Sequence, residues 1–583
     1  MKTANRNDTS LMLILLIVLC LINDGSPLHA ASVGEINFQS LRSVVLDLTA
    51  EFPDQYTRHE TYLHEIDAYE KAYPDIVTGV QQGQPDAIQR FKEILAWKRR
   101  LLLDNPLLDF DQLLVIRRKP LDDPRRVTGD AENDKGLGKF LGIPQQSSWQ
   151  LHTMPEVTGW ENDIAVLSDL RHRAPVKSLY RPKGGALVNE MDLHFDAEHL
   201  MFSQPDANKK WQIYEINIDG TTLKQLSPRD QRDVHNLDSC YLPNGKIAYI
   251  STAPFQGVPC NASVNVGMMY TMDRSGKNIR QLCFDQDHNY CPTVMPDGRI
   301  LYLRWEYTDI PHVWARFLFT MNPDGTGQRE YYGSGGYWPN SIFFARPIPG
   351  HPTKVAGIVT GHHVGRVGEL VVLDPALGRN TTRGVVQRIP SRGQTVQPLI
   401  QDKLALNSWP KCLHPWPLSE TYFLVSCKPT PNALWGIYLV DIFDNIQLIK
   451  ELEGYALLEP IPIKKTSRPS VIPDRVDLTR QDAIVYIEDL YKGPGLKDVP
   501  RGTVEKLRLF TYHFAYRKVA GINHRVGADG PWEPKRVLGT VPVETDGSAM
   551  FRVPANTPIS IQPIDSHGNA LQLMRSWMTA MPG

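Results

Sequence analysis

Short apolar strands separated by turn residues dominate the chain between about residues 160 and 465. Two segments share one arrangement: Cys240–Ser251, which turns at an Asn-Gly pair, and Thr293–Arg304, which turns at an Asp-Gly pair. Both pairs are strong hairpin signals between alternating apolar residues, because glycine adopts a positive φ without strain. Leu193–Ser203 follows the same pattern more loosely. The middle of the chain is therefore a repeat array.

A second hairpin follows each of these units, and two hairpins make the four strands of one propeller blade. Two degenerate units come next, Ala345–Ile389 and Pro417–Leu452. We expect Leu458–Ile463 to pair beside Asp163–Leu167 and Val176–Tyr180, because a blade shared by the two ends leaves no sheet edge unpaired. The pattern predicts a six-bladed β-propeller. Seven blades stay open, since the long interval between the units near 345 and 415 has room for one more.

The flanking regions differ from the repeats. A helical N-terminal region with a linker is predicted over residues 31–150, with one helix that begins at Pro85 and ends at Asn105. The propeller is predicted over 151–466. The β-rich remainder, 467–583, reads as a β-sandwich-like domain with strands near 483–487, 504–510, 537–543, 549–553 and 559–563. The fold class is mainly β.

The first thirty residues read as a signal peptide. Leu11–Ile22 is an unbroken apolar run of 12 residues, whereas a membrane-spanning helix needs about 20. A polar break and the sequence Leu-His-Ala30 follow, which suggests cleavage after Ala30. The mature chain is expected to be periplasmic or otherwise exported, with no membrane span after cleavage. The alternative is an uncleaved N-terminal anchor.

Charge excludes one class of partner. The chain has 63 Lys+Arg and 64 Asp+Glu, a net charge of −1, so the basic excess typical of nucleic-acid-binding proteins is missing. We predict no nucleic-acid partner.

Export makes the cysteines disulfide candidates, because an even number in an oxidising compartment indicates bridges. Six remain after Cys20 is removed: Cys240, Cys260, Cys283, Cys291, Cys412 and Cys427. Cys283/Cys291 and Cys412/Cys427 close the shortest loops. The sequence has no Cys-x-x-Cys pair, which argues against a zinc ribbon, a thioredoxin-like motif and a covalent haem c within these 583 residues.

Candidate ligands on the propeller face occur at equivalent places in successive repeats. They are Asp233, His235 and Asp238 before one unit, Asp287 and His288 before the next, and the adjacent pair His362 and His363. Imidazole and carboxylate groups bind transition metals or polar substrates. The alternative is that they satisfy backbone groups between blades. Neighbouring side chains on a strand point to opposite faces, so His362 and His363 are not expected to act together, and no metal is assigned. The catalytic residues stay unknown.

Several longer motifs resemble the hydrazine synthase alpha-subunit-like family, from about residue 100 to the end of the sequence. They are Asn105–Leu114, Trp305–Asp309, Ala345–Gly350, Gly436–Asp441, Arg536–Ser548 and Leu573–Ser576. The resemblance implies an exported protein of planctomycete-type bacteria with a six-bladed propeller, a middle domain and a C-terminal cytochrome c part. In such relatives, the stretch like Ala580–Gly583 continues into a Cys-x-x-Cys-His haem motif, before which this sequence ends.

Three function classes follow from these observations. The first is a component of a periplasmic haem-dependent oxidoreductase, in which haem c would come from downstream sequence or from a cytochrome partner. The second is a non-catalytic binding or scaffold propeller of the Tol-associated type. The third, a propeller-gated serine hydrolase, is disfavoured because the sequence has no Gly-x-Ser-x-Gly motif. An oxidoreductase-like chain is expected to be inactive in isolation.

Overall fold

The structure, a computed structural model, describes residues 36–121, 125, 141–144, 151, 156–172, 176–259, 261–307, 315–333, 336–514, 534–574 and 576–583. The predicted signal peptide and Cys260 lie outside these residues. The mainly β class is confirmed. Among the described helices, none combines the length and the apolar character that crossing a membrane requires.

Three helices form the described N-terminal part: α1 (Phe38–Glu51), α2 (His59–Gln81) and α3 (Pro85–Leu103). The Asn37 side chain caps α1 by accepting the Ser40 N–H at 3.0 Å. Pro85 begins α3, as predicted, because its missing N–H is unpaired in a first turn anyway. The apolar faces of the three helices share one core with neighbouring strands.

Polar contacts fix these helices to the β region. The Tyr422 hydroxyl donates to Asp47 of α1 at 2.8 Å. The guanidinium of Arg99, on α3, donates to the carbonyl oxygens of Leu170 and Ile449 at 3.2 and 3.1 Å. The helices therefore cover one side of the β region instead of standing apart from it.

Twenty-six strands follow in the described part of the central region. In chain order they are β1 (Gln112–Arg118), β2 (Asn162–Ser168), β3 (Lys177–Tyr180), β4 (Asn189–Leu193), β5 (His199–Pro205), β6 (Trp211–Asn217), β7 (Lys224–Gln225), β8 (Asn236–Tyr241), β9 (Lys246–Ser251), β10 (Gly257–Val258), β11 (Asn261–Asn265), β12 (Met268–Asp273) and β13 (Arg280–Gln281). The remainder are β14 (Asn289–Val294), β15 (Ile300–Trp305), β16 (Arg316–Met321), β17 (Arg329–Tyr332), β18 (Ser341–Pro347), β19 (Val355–Thr360), β20 (Glu369–Leu373), β21 (Val385–Ile389), β22 (Lys411–Pro417), β23 (Tyr422–Lys428), β24 (Gly436–Asp441), β25 (Ile446–Lys450) and β26 (Ala456–Pro462).

Most of these strands form four-stranded antiparallel units. Their orders are β4-β5-β6-β7, β8-β9-β12-β13, β14-β15-β16-β17, β18-β19-β20-β21 and β22-β23-β24-β25. The third and fourth units join into one larger sheet through a single parallel pair, Arg316 with Ser341. The predicted hairpin turns are confirmed, with Gly245 at φ 81° and Gly298 at φ 87°. The small hairpin β10-β11 stands outside these units.

The sheet shared by the two ends of the region differs from the prediction in one strand. Its order is β26-β1-β2-β3, so Gln112–Arg118 lies between Ala456–Pro462 and Asn162–Ser168. The direct pairing expected between the last strand and Asp163–Leu167 is wrong. The physical reason is that four successive apolar residues of β1, from Leu113 to Ile116, are fully buried, and a strand buried on both faces needs neighbours on both edges.

The first strands of the units follow one another around a centre. Contacts run from β4 to β8, then to β14, β18, β22 and β26, and β26 contacts β4 again. Apolar side chains fill the space between neighbouring units. This order brings one strand from each unit to a common central space.

The C-terminal part contains β27 (Asp482–Ile487), β28 (Lys506–Tyr512), β29 (Lys535–Pro542), β30 (Ala549–Pro554), β31 (Pro558–Ile564) and β32 (Met578–Thr579). They form two sheets, β27-β30 and β29-β28-β31-β32, that share one apolar core. The five predicted strands of this part are confirmed.

The segment between β26 and β27 runs along the hairpin turns of the earlier units. The Thr466 N–H donates to the Phe195 carbonyl at 3.0 Å. The Lys246 ammonium lies 2.9 Å from Asp474, and the next residue, Arg475, donates its N–H to Asp324 at 2.7 Å. These contacts hold the segment against the β region between the end of β26 and the C-terminal part.

Candidate functional site

A ring of six residues surrounds the central space, one from the first strand of each unit. We call it the central ring: Glu190, Asp238, Cys291, Phe344, His414 and Glu459. All six have a positive φ, between 49° and 61°. The strand pairing shifts register at each of them. A non-glycine residue in this conformation costs roughly 1–2 kcal/mol, so six repeats of it mark a place where the backbone is held in a special arrangement.

Side chains of the central ring accept hydrogen bonds from the backbone of the next unit. The two carboxylate oxygens of Glu459 accept the N–H groups of Glu190 and Met191 at 2.9 and 2.7 Å. Glu190 accepts the Asp238 N–H at 2.6 Å, and Asp238 accepts the Cys291 N–H at 2.7 Å. Three carboxylates thus connect four consecutive units.

The other half of the central ring is connected by a thiol hydrogen bond, a contact between two rings and a longer polar contact. The backbone N–H of Phe344 points to the Cys291 thiol. The Phe344 ring meets the His414 ring edge-on at 4.4 Å, and His414 Nε2 lies 3.9 Å from Glu459 Oε1. The series of contacts therefore returns to the residue from which it began.

Inside the central ring is a small cavity, with about 70 Å³ of space for water-sized molecules. One water molecule requires roughly 10–15 Å³ on this measure, so the cavity holds several waters or one small solute. Burial raises the pKa of Glu190 to about 7, that of Asp192 to about 6 and that of Glu459 to about 7. Each of these carboxyl groups therefore retains its proton to a higher pH than an exposed carboxyl does.

Two arginines balance the carboxylates. Arg346 lies near Asp192 and over the Trp416 ring, 4.4 Å from its centroid, and burial lowers its pKa. Arg366 is 1% exposed and its charge acts on Glu190. The cavity wall therefore combines apolar side chains such as Met191 and Ile461 with charged groups that largely compensate one another, which suits a small molecule with a few polar groups.

Arg366 also connects the cavity to a second group of side chains, which we call the Trp305 cluster. Its members are Asp287, His288, Tyr290, Trp305, Arg316 and His362. The Arg366 guanidinium lies 4.9 Å from the centroid of the Tyr290 ring. In the Trp305 cluster, the Trp305 ring stacks with His288 at 6.3 Å and meets His362 edge-on at 6.0 Å.

The histidines of the Trp305 cluster are buried and used in packing. His288 Nδ1 accepts the Gly267 N–H at 2.9 Å, and the His288 N–H donates to Asp287 at 2.8 Å. Burial, and then the nearby Arg316 charge, lower the pKa of His362 well below its usual value. His362 is therefore neutral, and it lies among aromatic rings rather than at an open face.

The sequence-predicted candidates separate into different places. Asp238 belongs to the central ring, and the structure brings Asp287, His288 and His362 together around Trp305. Asp233 is exposed. His235 lies one unit earlier, where its Nδ1 accepts the Trp211 N–H at 3.3 Å. His363 is exposed and pairs with Asp402 at 2.7 Å. The expectation that His362 and His363 point to opposite faces of a strand is wrong, because both lie beyond the end of β19 and their rings meet edge-on with centroids 4.2 Å apart.

The cysteines are thiols in the described part of the chain: Cys240, Cys283, Cys291, Cys412 and Cys427. The Cys283/Cys291 bridge is not present. Cys291 instead lies in the central ring beside Asp238, whereas Cys283 lies beside Asp285 and Tyr302. Cys412 and Cys427 pair directly across two strands with sulfur atoms 3.9 Å apart, so a bridge between them stays a prediction.

The C-terminal part docks beside the Trp305 cluster through Trp577. The indole N–H donates to the buried carboxylate of Asp285 at 2.8 Å. The Arg304 guanidinium lies 4.5 Å from the centroid of the indole ring, and its Nη2 donates to the Trp577 carbonyl at 3.2 Å. Ser576 donates to Glu306 at 2.5 Å. The rings of Tyr512 and Phe514, from the same C-terminal part, pack on Trp577 and support its indole ring.

Sequence reasoning missed most of the central ring, although a positional signal exists. Five of its members each lie four residues before the residue that begins the next hairpin turn. The residues that begin these turns are His194, Leu242, Met295, Ile348 and Leu418. The side chains of the ring members themselves are chemically different, from carboxylate to phenyl. An alignment of the repeats on their turns finds this column, whereas a search for a repeated residue type does not.

Comparisons with known proteins give three kinds of result. Residues 502–583 match the family described as the hydrazine synthase alpha subunit middle domain. Hydrazine synthase from Kuenenia stuttgartiensis has a similar fold, with a TM-score of 0.58 and 15% identity over 81% of this chain and 68% of that chain. These findings confirm the resemblance to the hydrazine synthase alpha-like family. No curated protein matches the chain.

Two further solved structures are more distant. A putative TolB from Agrobacterium tumefaciens has a TM-score of 0.30 and 12% identity over 57% of this chain and 99% of that chain. YCF48 bound to D1 peptide has a TM-score of 0.28 and 12% identity over 50% of this chain and 79% of that chain.

Proposed function

We propose that this hydrazine synthase alpha-like protein is one component of an exported oxidoreductase assembly, that it binds a small nitrogen base, and that a partner supplies the haem. The observation that carries the proposal is the docking of the family-matched segment, through Trp577, on the strand that holds Arg304 and Trp305. The match of residues 502–583 to the hydrazine synthase alpha subunit middle domain, together with the similar fold of hydrazine synthase, supports the choice of an oxidoreductase.

We further propose that the four-stranded units are six blades of one closed propeller. Two observations support closure: β26 pairs with β1, and the contacts of the central ring return from His414 to Glu459. A closed ring leaves only the outer strand of each blade as a sheet edge. It would hold the cavity at a fixed geometry while partner proteins bind outside it.

The cavity suits a small nitrogen base. Glu190, Asp192 and Glu459 have raised pKa values near neutrality, so each can give a proton to a bound nitrogen base or take one from it. The cavity is too small for a haem, whose redox chemistry would have to come from a separate protein or from further sequence. The chain itself would hold the substrate and move protons, and the partner would move electrons.

Titration calorimetry on the purified protein tests the binding step. We expect hydrazinium or hydroxylammonium to bind with one site per chain and tetramethylammonium, which is larger and cannot donate a hydrogen bond, not to bind. Glu190→Gln and Glu459→Gln should abolish binding. Asp441→Asn is the matched control, because burial also raises the Asp441 pKa to about 7 but Asp441 lies outside the cavity. Absence of binding by both cations would overturn the proposal.

The haem step has its own test. Protein produced in a host that attaches haem c should show no Soret absorbance, and protein isolated from its native host should co-purify with a polypeptide that stains for haem. A Soret band from the chain of 583 residues alone would contradict the assignment of haem to a partner.

A non-catalytic binding propeller is the second candidate. The burial of His288 and His362 around Trp305 favours it, because these side chains are used in packing rather than presented to a substrate. If neither cation binds and no haem protein co-purifies, this candidate replaces the first.

A further inference from the structure

We propose that the β4–β5 hairpin binds one divalent transition-metal ion through His194, Asp196 and His199. This site is separate from the central ring and from the Trp305 cluster, and it does not depend on the function proposed above. Each of the three residues offers one ligand atom, and these atoms all lie within 4.8 Å of one another.

The spacing of the ligand atoms matches an ion at right-angled positions. Nδ1 of His194 lies 2.8 Å from Asp196 Oδ2, and Nδ1 of His199 lies 3.1 Å from the same oxygen. Two ligands about 2.1 Å from an ion and at right angles to each other are about 3.0 Å apart. Small rotations of the side chains are therefore enough to bring all three atoms onto one ion.

The hairpin itself does not require a histidine at position 194. The backbone N–H of His194 donates to the carbonyl of His199, which closes the turn. Four other units close the corresponding turn in the same way, and there the first residue is apolar: Leu242, Met295, Ile348 and Leu418. His194 therefore replaces an apolar residue at a structurally repeated position, and its imidazole lies beside a carboxylate that follows two residues later.

Electrostatics in the turn favour a cation. One oxygen of Asp196 accepts the Glu198 N–H at 2.8 Å, and the other lies beside the Nδ1 atoms of both histidines. The Asp196 N–H also lies 3.3 Å from His194 Nδ1. A metal ion on His194 Nδ1 would take the lone pair that this N–H contacts, and the Asp196 carboxylate, 2.8 Å from the same nitrogen, would balance its charge.

The chemistry of the donors selects the kind of ion. Two imidazole nitrogens and one carboxylate suit zinc, cobalt, nickel, copper or iron, whereas calcium and magnesium prefer oxygen ligands. The side chains of Asp196 and His199 are 32% and 30% exposed, so water can reach the remaining coordination positions. The closed set of four ligands that structural zinc sites prefer is not completed by the described residues.

The location gives the ion a consequence for the fold. The same turn accepts the Thr466 N–H through the Phe195 carbonyl at 3.0 Å, and Glu198 lies 3.5 Å from Lys465. The turn thus holds the start of the segment that leads to the C-terminal part. A bound ion would stiffen the turn and protect this segment.

Metal binding to the full chain tests the site. After treatment with a chelator, the protein is titrated with Zn²⁺ by calorimetry and with Co²⁺ by visible absorption. We expect one equivalent of each to bind and Zn²⁺ to slow trypsin cleavage in residues 464–481. His199→Ala and Asp196→Asn should weaken binding by at least the roughly 10–100-fold that changes to groups supporting a ligand cost. Asn at 196 retains an acceptor for the Glu198 N–H, so this variant is expected to fold.

His172→Ala is the matched control. His172 Nδ1 lies 2.8 Å from Asp169, and its side chain is 82% exposed, so this pair has the same donors without a second histidine. The control should bind zinc like the wild type. One equivalent bound with unchanged affinity by both His199→Ala and Asp196→Asn would overturn the proposal, as would no binding by the wild type at sub-millimolar Zn²⁺.

Discussion

Trp577 tests the docking of the C-terminal part most severely, because three kinds of contact meet at this side chain. Its indole N–H donates to Asp285, its ring lies beside the Arg304 guanidinium, and the residue is 4% exposed. A hydrogen bond to a charged group contributes about 1.5–3 kcal/mol. Deleting a buried tryptophan side chain costs about 3–5 kcal/mol.

Two substitutions separate these contributions. Trp577→Phe retains an aromatic ring but removes the N–H donor, so we expect the docked state to lose about 2 kcal/mol. Trp577→Ala also removes the ring, and we expect a loss of about 3–5 kcal/mol. That is a large share of the roughly 5–15 kcal/mol that stabilises a typical domain, so the C-terminal part should undock before the remainder unfolds.

Scanning calorimetry and limited trypsin digestion measure both effects. The wild type should unfold with the two parts coupled, and Trp577→Ala should show an additional early transition together with faster cleavage in residues 464–481. Tyr486→Ala is the control, because Tyr486 lies in the same part with 65% of its surface exposed, and such surface changes stay within about 0.5 kcal/mol. If Trp577→Ala melts and is cleaved like the wild type, the docking described here is wrong.

Three further predictions concern the centre of the β region. Burial raises the pKa of Glu459 from 4.5 to about 7, so between these pH values the folded state retains a proton that the unfolded chain has released. The free energy of unfolding therefore falls as pH rises through this window, by roughly 3 kcal/mol in total. Urea unfolding at several pH values should show a flatter dependence on pH for Glu459→Gln, and an unchanged dependence would contradict this assignment. Arg118→Ala should cost about 1–3 kcal/mol in the same assay for each buried acceptor that loses its donor, since the buried guanidinium donates to the Leu141 carbonyl at 2.6 Å and to the Asn189 side chain at 3.0 Å. Lys119→Ala, at a side chain that is 58% exposed, should cost within about 0.5 kcal/mol. Equal effects would refute the interior position of β1. Mild oxidation should join Cys412 to Cys427 and leave Cys283 and Cys291 reduced, which peptide mass mapping detects, and a Cys283–Cys291 peptide would reverse the assignment.

Local sequence signals predicted the units of this fold well. The Asn-Gly and Asp-Gly turns at Gly245 and Gly298 require a positive φ, and the structure has it at both. Pro85 begins a helix because its chemistry suits a first turn. Each of these features depends on a few neighbouring residues, which is why the sequence reveals it.

Features that depend on distant residues were not predictable in the same way. The strand Gln112–Arg118 pairs with Ala456–Pro462, more than three hundred residues later. The local sequence of neither strand indicates which strand it pairs with. Glu190 and Phe344 occupy equivalent places in the central ring but have chemically different side chains. Residue type therefore does not indicate that the two positions are equivalent. His288 and His362 meet only because Trp305 lies between them.

An engineered cross-link between the first and last strands tests closure of the ring most directly. Leu114 of β1 pairs with Ile461 of β26, so cysteines at both positions, Leu114→Cys with Ile461→Cys, should form a disulfide in the native protein and not in denaturant. Leu114→Cys with Leu457→Cys is the mismatched control, because Leu457 pairs with Arg117 instead. Closure predicts an efficient cross-link for the matched pair alone, detected by peptide mass. Equal cross-linking of both pairs, or none of the matched pair, would contradict a closed ring.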